Sequence, residues 1–248
     1  MKTNKFILLL LLLFAFCGCE KEKPIKEEEE EEIVQTPASC FPEASDKYTY
    51  PSVPNHIGWD IIKEFSQLPD SVLESISTFG LVEALIHAPL FASYLGLSSS
   101  APVNHFNSHY TYFNSAQELF TREDASEVLV DYFMLVDFDC IRQSMALFTS
   151  DFERLFGLEC LLIHENIIYN IEHIKKKEIV AVVLKNYEKH FFNHSIPIMA
   201  NIMFADGYEP LVTYSQQDPR MFRYLLVGVG YINDIDNIVA FAKDFIKE

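Results

Sequence analysis

Residues 68–91 read LPDSVLESISTFGLVEALIHAPLF and predict two short helices joined by a tight turn. Ser71 and Glu74 have the spacing of a capping box at the start of the first helix. Ser77 can end that helix and cap the second one, which Pro89 ends. Apolar residues recur at helical spacing in both segments, at Val72, Leu73 and Ile76 and then at Leu81, Val82, Leu85 and Ile86.

The two helices of this hairpin each have an apolar and a polar face. Leu73 and Leu85 fall on the predicted inner faces, whereas Glu74 and Glu83 fall on the outer faces. Because a short amphipathic helix cannot bury its own apolar stripe, the pair requires further helices stacked on it. Replacing an outward glutamate should change stability by no more than about half a kcal/mol.

The rest of the chain supplies further helices. Asn114 and Asp124 can each cap one, and the basic turn at Lys175–Lys177 suits a helix end. We therefore predict an all-α fold over residues 58–248, a stack of short paired helices that forms an α/α superhelix of the armadillo or HEAT kind. Beyond the hairpin, the predicted helices cover residues 59–65, 116–120, 128–133, 152–171, 179–190, 196–204, 221–227 and 235–246.

The N-terminus predicts secretion. Two lysines precede the apolar run FILLLLLLFAF at residues 6–16. This run is too short to cross a bilayer as a helix, and its basic flank is typical of a secretory signal peptide.

The residues after this run resemble a bacterial lipobox. In the sequence Phe16-Cys17-Gly18-Cys19, a small residue precedes Cys19. The resemblance implies that residues 1–18 are a lipoprotein signal peptide and that Cys19 becomes a mature N-terminus carrying diacylglycerol and palmitate. Cys17 is a poorer acceptor because the bulky Phe16 would occupy its cleavage position. The alternative is an ordinary cleaved signal peptide.

Residues 19–57 predict a lipid anchor followed by a disordered linker. The tract EKEKPIKEEEEEE at residues 20–32 cannot bury apolar surface, which is typical of a solvated spacer. It also resembles the acidic, lysine-containing export signal of Bacteroidota surface lipoproteins. Residues 33–54 contain prolines without a period and predict extended chain, so we expect the folded domain to begin at Gly58. Together these features predict a cell-envelope protein that is lipid-anchored in the outer membrane, either displayed at the cell surface or, as the alternative, facing the periplasm.

Composition indicates a globular protein with an acidic surface. The 248 residues are 49% hydrophobic and include 21 Phe and 12 Tyr, which is ample for a core. The formal net charge is −17, and residues 1–32 contribute −3 of it through 5 Lys and 8 Glu, which leaves −14 on the rest. An acidic protein surface repels phosphate backbones, which argues against nucleic acid as a partner. The ordinary role of such acidity is to keep the protein soluble.

The cysteines do not predict a disulfide framework. If Cys17 is removed and Cys19 is lipidated, the three that remain are Cys40, Cys140 and Cys160, an odd number. Cys140 and Cys160 can pair in an oxidising envelope, or both can stay reduced within a helical core.

Two stretches of the chain resemble a family of Bacteroidota envelope lipoproteins. In that family, a proline-led helical hairpin precedes the motif FN-x-x-x-EL-x-x-R-x-DA, which we call the FN motif. The segment FNSAQELFTREDA at residues 113–125 occupies its positions, and LECLLIHENIIYNIEHI at residues 158–174 resembles the second half of the family. The resemblance implies an all-helical, repeat-like fold and an envelope location, and it implies no chemistry. The motif positions are held by Phe113, Asn114, Glu118, Leu119, Arg122, Asp124 and Ala125.

Two histidine pairs are the candidate metal ligands. His105 with His109, and His190 with His194, have the i,i+4 spacing that presents two imidazoles to one metal on a helix. Neither pair has the glutamate of a zinc-protease motif after its first histidine, and no third ligand is indicated. Surface or loop histidines are the ordinary explanation of both pairs.

No cofactor is indicated by the sequence. Gly228 and Gly230 lack the third glycine and the strand pattern of a dinucleotide-binding loop. Four tyrosines can offer stacking faces to a sugar, although packing is the commoner use of such residues. They are Tyr48, Tyr50, Tyr110 and Tyr112.

These observations favour a non-catalytic binding or scaffold module. We expect a lipid-anchored stack of helices that presents a surface to a protein or glycan partner. The second hypothesis is a metal-assisted hydrolase that uses one of the two histidine pairs.

Overall fold

Short helices joined by tight turns make up the fold. The structure, a computed structural model, describes residues 39–53, 58–91, 110–145, 150–190, 195–217 and 235–248. Within these ranges every regular element is helical, which confirms the predicted all-α class. The α-helices there are α1 Trp59–Phe65, α2 Asp70–Leu73, α3 Thr78–His87, α4 Asn114–Leu119, α5 Ala125–Met134, α6 Phe138–Met145, α7 Asp151–Leu162, α8 Glu165–Ile168, α9 His173–His190, α10 Ser195–Ala205, α11 Glu209–Gln217 and α12 Ile235–Phe245, and a 3-10 turn covers Tyr110–Tyr112. None of the helices in the described ranges has both the length and the apolar character needed to cross a bilayer.

The predicted hairpin is present as α2 and α3. Ser77 caps α3 as predicted, because its Oγ accepts a hydrogen bond from the backbone N–H of Gly80 at 3.0 Å. The predicted capping box is wrong. Helix α2 begins at Asp70 after Pro69, so Ser71 lies inside the helix and is not its N-terminal cap. The helix is so short that Glu74 is its C-terminal cap, and the two residues therefore do not occupy the positions of a capping box.

Helix α3 lies at the centre of the N-terminal half. It packs against α4, α5 and α7, and eight of its ten residues are buried. Leu85 is fully buried, as its predicted inner position requires, whereas Leu73 on α2 is only half-buried. Pro89 follows α3 and starts another helical turn over residues 89–91.

Two polar residues of the FN motif hold the hairpin in place. Asn114 was expected to cap α4, but its side chain binds the backbone of Leu68 on both sides. Its Oδ1 accepts from the N–H of Leu68 at 2.9 Å, and its Nδ2 donates to the C=O at 2.8 Å. Asp124 precedes α5 without a side-chain capping bond, and it instead accepts a hydrogen bond from Thr78 Oγ1 at 2.7 Å.

Arg122 of the same motif closes the end of α2. Its guanidinium donates to the carbonyl oxygens of Leu73 at 3.1 Å and Ile76 at 2.7 Å. Glu118 holds the guanidinium from the other side at 3.2 Å. Carbonyl groups at a helix end lack partners within the helix, so this arginine satisfies two acceptors that a short helix leaves open.

The segment of residues 39–53, here called the N-terminal strap, is irregular in backbone and packs against the helices. Cys40 and Phe41 are buried in the hydrophobic core. Residues 39–53, which were predicted as extended linker before a domain starting at Gly58, are therefore part of the packed fold.

A disulfide fastens the strap. Cys40 bonds to Cys140 on α6, and the N–H of Asp137 donates to the carbonyl oxygen of Cys40 at 2.9 Å. Cys160 is a buried free thiol, so the alternative pairing of Cys140 with Cys160 is wrong. An odd number of cysteines is compatible with one bridge and one buried thiol. The pairing was missed because Cys40 was assigned to the linker.

The strap also covers Glu83, which is only 2% exposed and does not lie on an outer face as predicted. Its Oε2 accepts from the N–H of Ala44 at 2.6 Å, and its Oε1 lies 3.8 Å from Lys47 Nζ. Burial raises the pKa of Glu83, although the hydrogen bond from Ala44 opposes this shift. Helical periodicity placed Glu83 outside because the strap that buries it is distant in sequence.

A second contact of the strap lies at the start of α3. Asp46 accepts hydrogen bonds from the N–H of Ser77 at 2.5 Å and from its Oγ at 2.9 Å. Partial burial alone would raise the pKa of Asp46, but the hydrogen bonds with Ser77 outweigh burial and lower the pKa. A Cβ at position 80 would collide with the Asp46 carboxylate, so the close approach requires Gly80.

The C-terminal half consists of α9, α10 and α12, which pack against one another. Helix α7 contacts α3, α5, α6 and α10, and it therefore joins the two halves. Helices that follow each other in the chain also pack together, as in α6 with α7 and α10 with α11, which is what the predicted stacking of short helices requires. The helices predicted at 179–190, 196–204 and 235–246 are confirmed, and the one at 221–227 lies outside the described residues.

The long helix predicted at residues 152–171 is wrong. Helix α7 ends at Leu162, and α8 starts anew after His164. The imidazole Nδ1 of His164 accepts a hydrogen bond from the N–H of Asn166 at 3.3 Å, so the histidine caps α8. A side chain that caps a new helix competes with continuation of the old one.

The basic turn begins a helix instead of ending one. The lysines at 175–177 lie in the first turns of α9, where the helix dipole disfavours positive charge. Each has a compensating partner: Lys175 lies 3.0 Å from Glu178, Lys176 lies 3.7 Å from Asp206, and the Lys177 ammonium lies over the Phe245 ring. Asp206 lies at the end of α10, where its N–H donates to the carbonyl oxygen of Ile202 at 3.0 Å, and Gly207, with φ of +76°, then ends the helix.

The disulfide should contribute strongly to stability because it closes a loop of 100 residues. We expect Cys140→Ser to lower the free energy of unfolding by about 2–5 kcal/mol, measured by urea unfolding followed by circular dichroism. A reductant should bring the wild type to the midpoint of the variant and leave the variant unchanged. A wild-type midpoint that does not respond to reductant would contradict the assignment.

Candidate functional site

An open cleft of about 290 Å³ lies between the first part of α5 and the turn that joins α8 to α9. This volume is near the lower end of the range found for small-molecule sites. Its lining residues are Glu123, Ser126, Glu127, Val130, Asn170, Ile171, Glu172 and Lys175.

The cleft has an apolar floor and a polar rim. Val130 and Ile171 are buried, and they form the floor together with Ser126, whose hydroxyl donates to the carbonyl oxygen of Ile167 at 3.2 Å. The rim carries exposed polar side chains from both walls, namely Glu123, Glu127, Asn170 and Glu172.

Local sequence explains the shape of the wall formed by the α8–α9 turn. Ile167 and Ile168 bury the four-residue helix α8 against the core, and α5 packs on it. The chain then turns, with the N–H of Asn170 bound to the carbonyl oxygen of Ile167 at 2.9 Å and the Asn170 amide bound to Asn166 at 2.9 Å. The wall is therefore held by short-range hydrogen bonds above a packed helix.

The cleft is electrically negative. It contains three carboxylates and one ammonium group, Lys175, which is paired with Glu178 at 3.0 Å. The pKa of Lys175 is raised chiefly by this hydrogen bond and by the charge of Glu178, and more weakly by Asp131 and Glu127. Lys175 is therefore surrounded by carboxylates that stabilise its charged form.

The rim carboxylates are free to bind a ligand. The side chains of Glu123, Glu127 and Glu172 make no hydrogen bond or ion pair with any residue that the structure describes. A free carboxylate at a cleft mouth accepts hydrogen bonds from an amine, a guanidinium or a hydroxyl. Such a cleft can hold a ligand with an apolar part and a polar, hydrogen-donating part.

The sequence-predicted site residues lie elsewhere. His105, His109 and His194 are outside the described residues, as is the side chain of His190, so both histidine pairs remain predictions. Lipidated Cys19 also lies outside them. Among the described residues, no three His, Cys, Asp or Glu side chains are grouped so that they could hold a metal ion.

The four tyrosines considered for sugar stacking do not form one platform. Tyr48 packs edge-on against Tyr50 with ring centroids 5.0 Å apart, and Tyr110 packs edge-on against Phe120 at 5.1 Å. Lys63 lies over the ring of Tyr112, 4.4 Å from its centroid. All four rings are partly buried against the core, which is the packing use that the sequence favoured.

Sequence reasoning missed the cleft. Glu123, Glu127 and Glu172 resemble the many other carboxylates of this acidic chain, and the helical pattern predicts only that they face solvent. Their proximity follows from the break between α7 and α8, within the stretch of residues 152–171 that was predicted as one continuous helix. The signal that could have found the break is His164 followed by Glu165 and Asn166, which fits a helix start.

A second unusual carboxyl group lies in the core. Glu159 on α7 is completely buried, and Ser195 Oγ donates to its Oε1 at 2.8 Å. Burial raises the pKa of Glu159 to about 8, although the hydrogen bond from Ser195 opposes this shift. Glu159 does not line the cleft, so its neutral form serves the packing of α7 against α10.

Glu159 should make stability depend on pH. The unfolded carboxyl releases its proton near 4.5, whereas the folded one keeps it up to about 8, so its contribution is complete below 4.5 and is lost as pH rises through 8. We expect Glu159→Gln to melt at least about 3 °C above the wild type at alkaline pH and to lose this advantage near pH 5. Thermal melts at a series of pH values measure the difference. The exposed control Glu64→Gln should follow the wild type throughout, and parallel profiles for Glu159→Gln would contradict the prediction.

Comparison with protein-family models, with curated proteins and with solved structures finds no match for this chain.

Proposed function

We propose that the protein is a lipid-anchored binding module of the cell envelope that holds a partner in the cleft between α5 and the α8–α9 turn. The observation that carries this proposal is the cleft itself. It combines a buried apolar floor with three rim carboxylates that make no hydrogen bond or ion pair with the described residues. A concave surface with buried apolar residues at its base and polar groups at its mouth is the usual form of a binding site.

The disulfide supports the envelope location. A bridge between Cys40 and Cys140 persists in an oxidising compartment and is rare in the cytosol. The bridge is a feature separate from the N-terminal sequence, where the apolar run and the lipobox-like Cys19 indicate export and acylation. The acidic tract of residues 20–32 would then space the folded unit from the membrane.

The position of the cleft supports binding by a preformed surface. Both walls are anchored on packed elements, since α5 contacts α3, α7 and α9, and α8 contacts α7. A site built on packed helices needs little ordering when a partner arrives, which favours affinity.

Anchoring can be tested at Cys19. In cells fed a labelled fatty acid, Cys19→Ala should abolish lipid labelling and release the protein from the membrane fraction, because the acceptor thiol is gone. Cys17→Ala is the matched control and should stay labelled and bound. Labelling that survives in Cys19→Ala would refute the anchor.

Binding can be tested by replacing two rim carboxylates. Full-length Glu127→Gln/Glu172→Gln, extracted in mild detergent, should retain envelope partners at least about fivefold less than the wild type in a quantitative pull-down. The control Glu64→Gln/Glu74→Gln changes the net charge equally at exposed positions outside the cleft. Equal retention by both double variants and the wild type would remove the cleft from the proposal.

A further inference from the structure

Two large apolar side chains are exposed beside the cleft. Tyr169 is 67% exposed and Ile174 is 66% exposed, although most residues of this size in the described chain are buried. Tyr169 directly precedes the cleft residue Asn170, and Ile174 directly precedes Lys175. Neighbouring Cα atoms lie about 3.8 Å apart, so the backbone of both residues adjoins that of the cleft lining.

This arrangement has the composition of a protein interface. Exposed aromatic and aliphatic residues next to a polar pocket are typical of interface cores, where an apolar contact excludes water around a charged anchor. Tyrosine is among the residues enriched at such sites. The rim therefore combines a negative pocket with adjacent apolar contact surface.

The negative charge of the cleft favours a positively charged ligand. Three free carboxylates outnumber the single ammonium of Lys175, which Glu178 already partly neutralises. An anionic ligand would be repelled, whereas a cation gains attraction from each unpartnered carboxylate.

The shape of the cleft restricts the class of cationic ligand further. A lysine or arginine side chain has an apolar stem and a charged end, and it can place the stem against Val130 and Ile171 while its charge meets the rim. A volume of about 290 Å³ is sufficient for one such side chain.

We propose that the cleft binds a lysine or arginine side chain of a partner protein, with an apolar residue next to it in the partner packing on Tyr169 and Ile174. This inference rests on the proposed function and deepens it by naming the partner class, a basic-apolar protein segment. It concerns the same cleft and assigns the two exposed apolar residues to the same interface.

The test uses synthetic peptides and the full-length protein in mild detergent. The probe is a twelve-residue peptide in which lysine and leucine alternate, and the matched control replaces every lysine with glutamate. Isothermal titration calorimetry should detect binding of the lysine peptide alone. Raising the ionic strength from about 0.05 M to about 0.3 M should weaken that binding several-fold, because salt screens exposed charges.

Variants then separate the contributions of charge and apolar contact. Glu127→Gln/Glu172→Gln should weaken peptide binding at least about fivefold, and Tyr169→Ala should weaken it by a similar factor. Lys175→Met should strengthen binding, because it removes the one cation of the lining. The control Glu64→Gln/Glu74→Gln should bind as the wild type does.

The outcomes distinguish this inference from the proposed function. Equal binding of both peptides, or weaker binding by Lys175→Met, would overturn the assignment of a basic ligand. A neutral trisaccharide that binds in place of the lysine peptide, with the same dependence on Glu127 and Glu172, would also overturn it while the binding module stands. If the pull-down shows no dependence on the two glutamates, the proposed function itself fails.

Discussion

The hydrogen bonds of Asn114 and Arg122 to the main chain of the hairpin are the constraint on which the N-terminal half depends. Asn114 binds the backbone of Leu68, just before α2, and Arg122 binds carbonyl oxygens at its end. A helix of four residues has no stable hydrogen-bonded core of its own, so these side chains supply what the helix cannot. With α2 placed, Ser77 begins α3 in the position where three other helices pack on it.

The strap depends on that placement in turn. Asp46 binds the capping residue Ser77, and Ala44 satisfies one oxygen of the buried Glu83. The strap both buries Glu83 and supplies this hydrogen bond, which offsets part of the cost of burying a carboxylate. The order of dependence runs from the FN motif to the hairpin, from the hairpin to the strap, and from the strap to the covered face of α3.

Local signals predicted what local interactions determine. The cap at Ser77 and the helical state of the valine-rich part of α9 both depend on neighbours within one or two turns, and both are confirmed. Features that depend on residues distant in sequence were missed. Glu83 is buried by a segment about forty positions earlier, as its hydrogen bond with Ala44 shows. The cleft likewise forms between α5 and a turn more than thirty residues later, and no periodicity within either segment encodes that approach.

The Cys40–Cys140 bridge gives the fold a mechanical property. A force applied along the chain from its N-terminal side acts on Cys40 before the rest of the strap, and the disulfide transmits this force directly to α6. The hydrogen bonds of Ala44 and Asp46 lie beyond this point in the chain, so tension cannot open them one after another as it would peel an unbridged strap. A force applied on the N-terminal side of Cys40 is therefore carried by this covalent bond, and the weaker contacts of the strap remain unloaded.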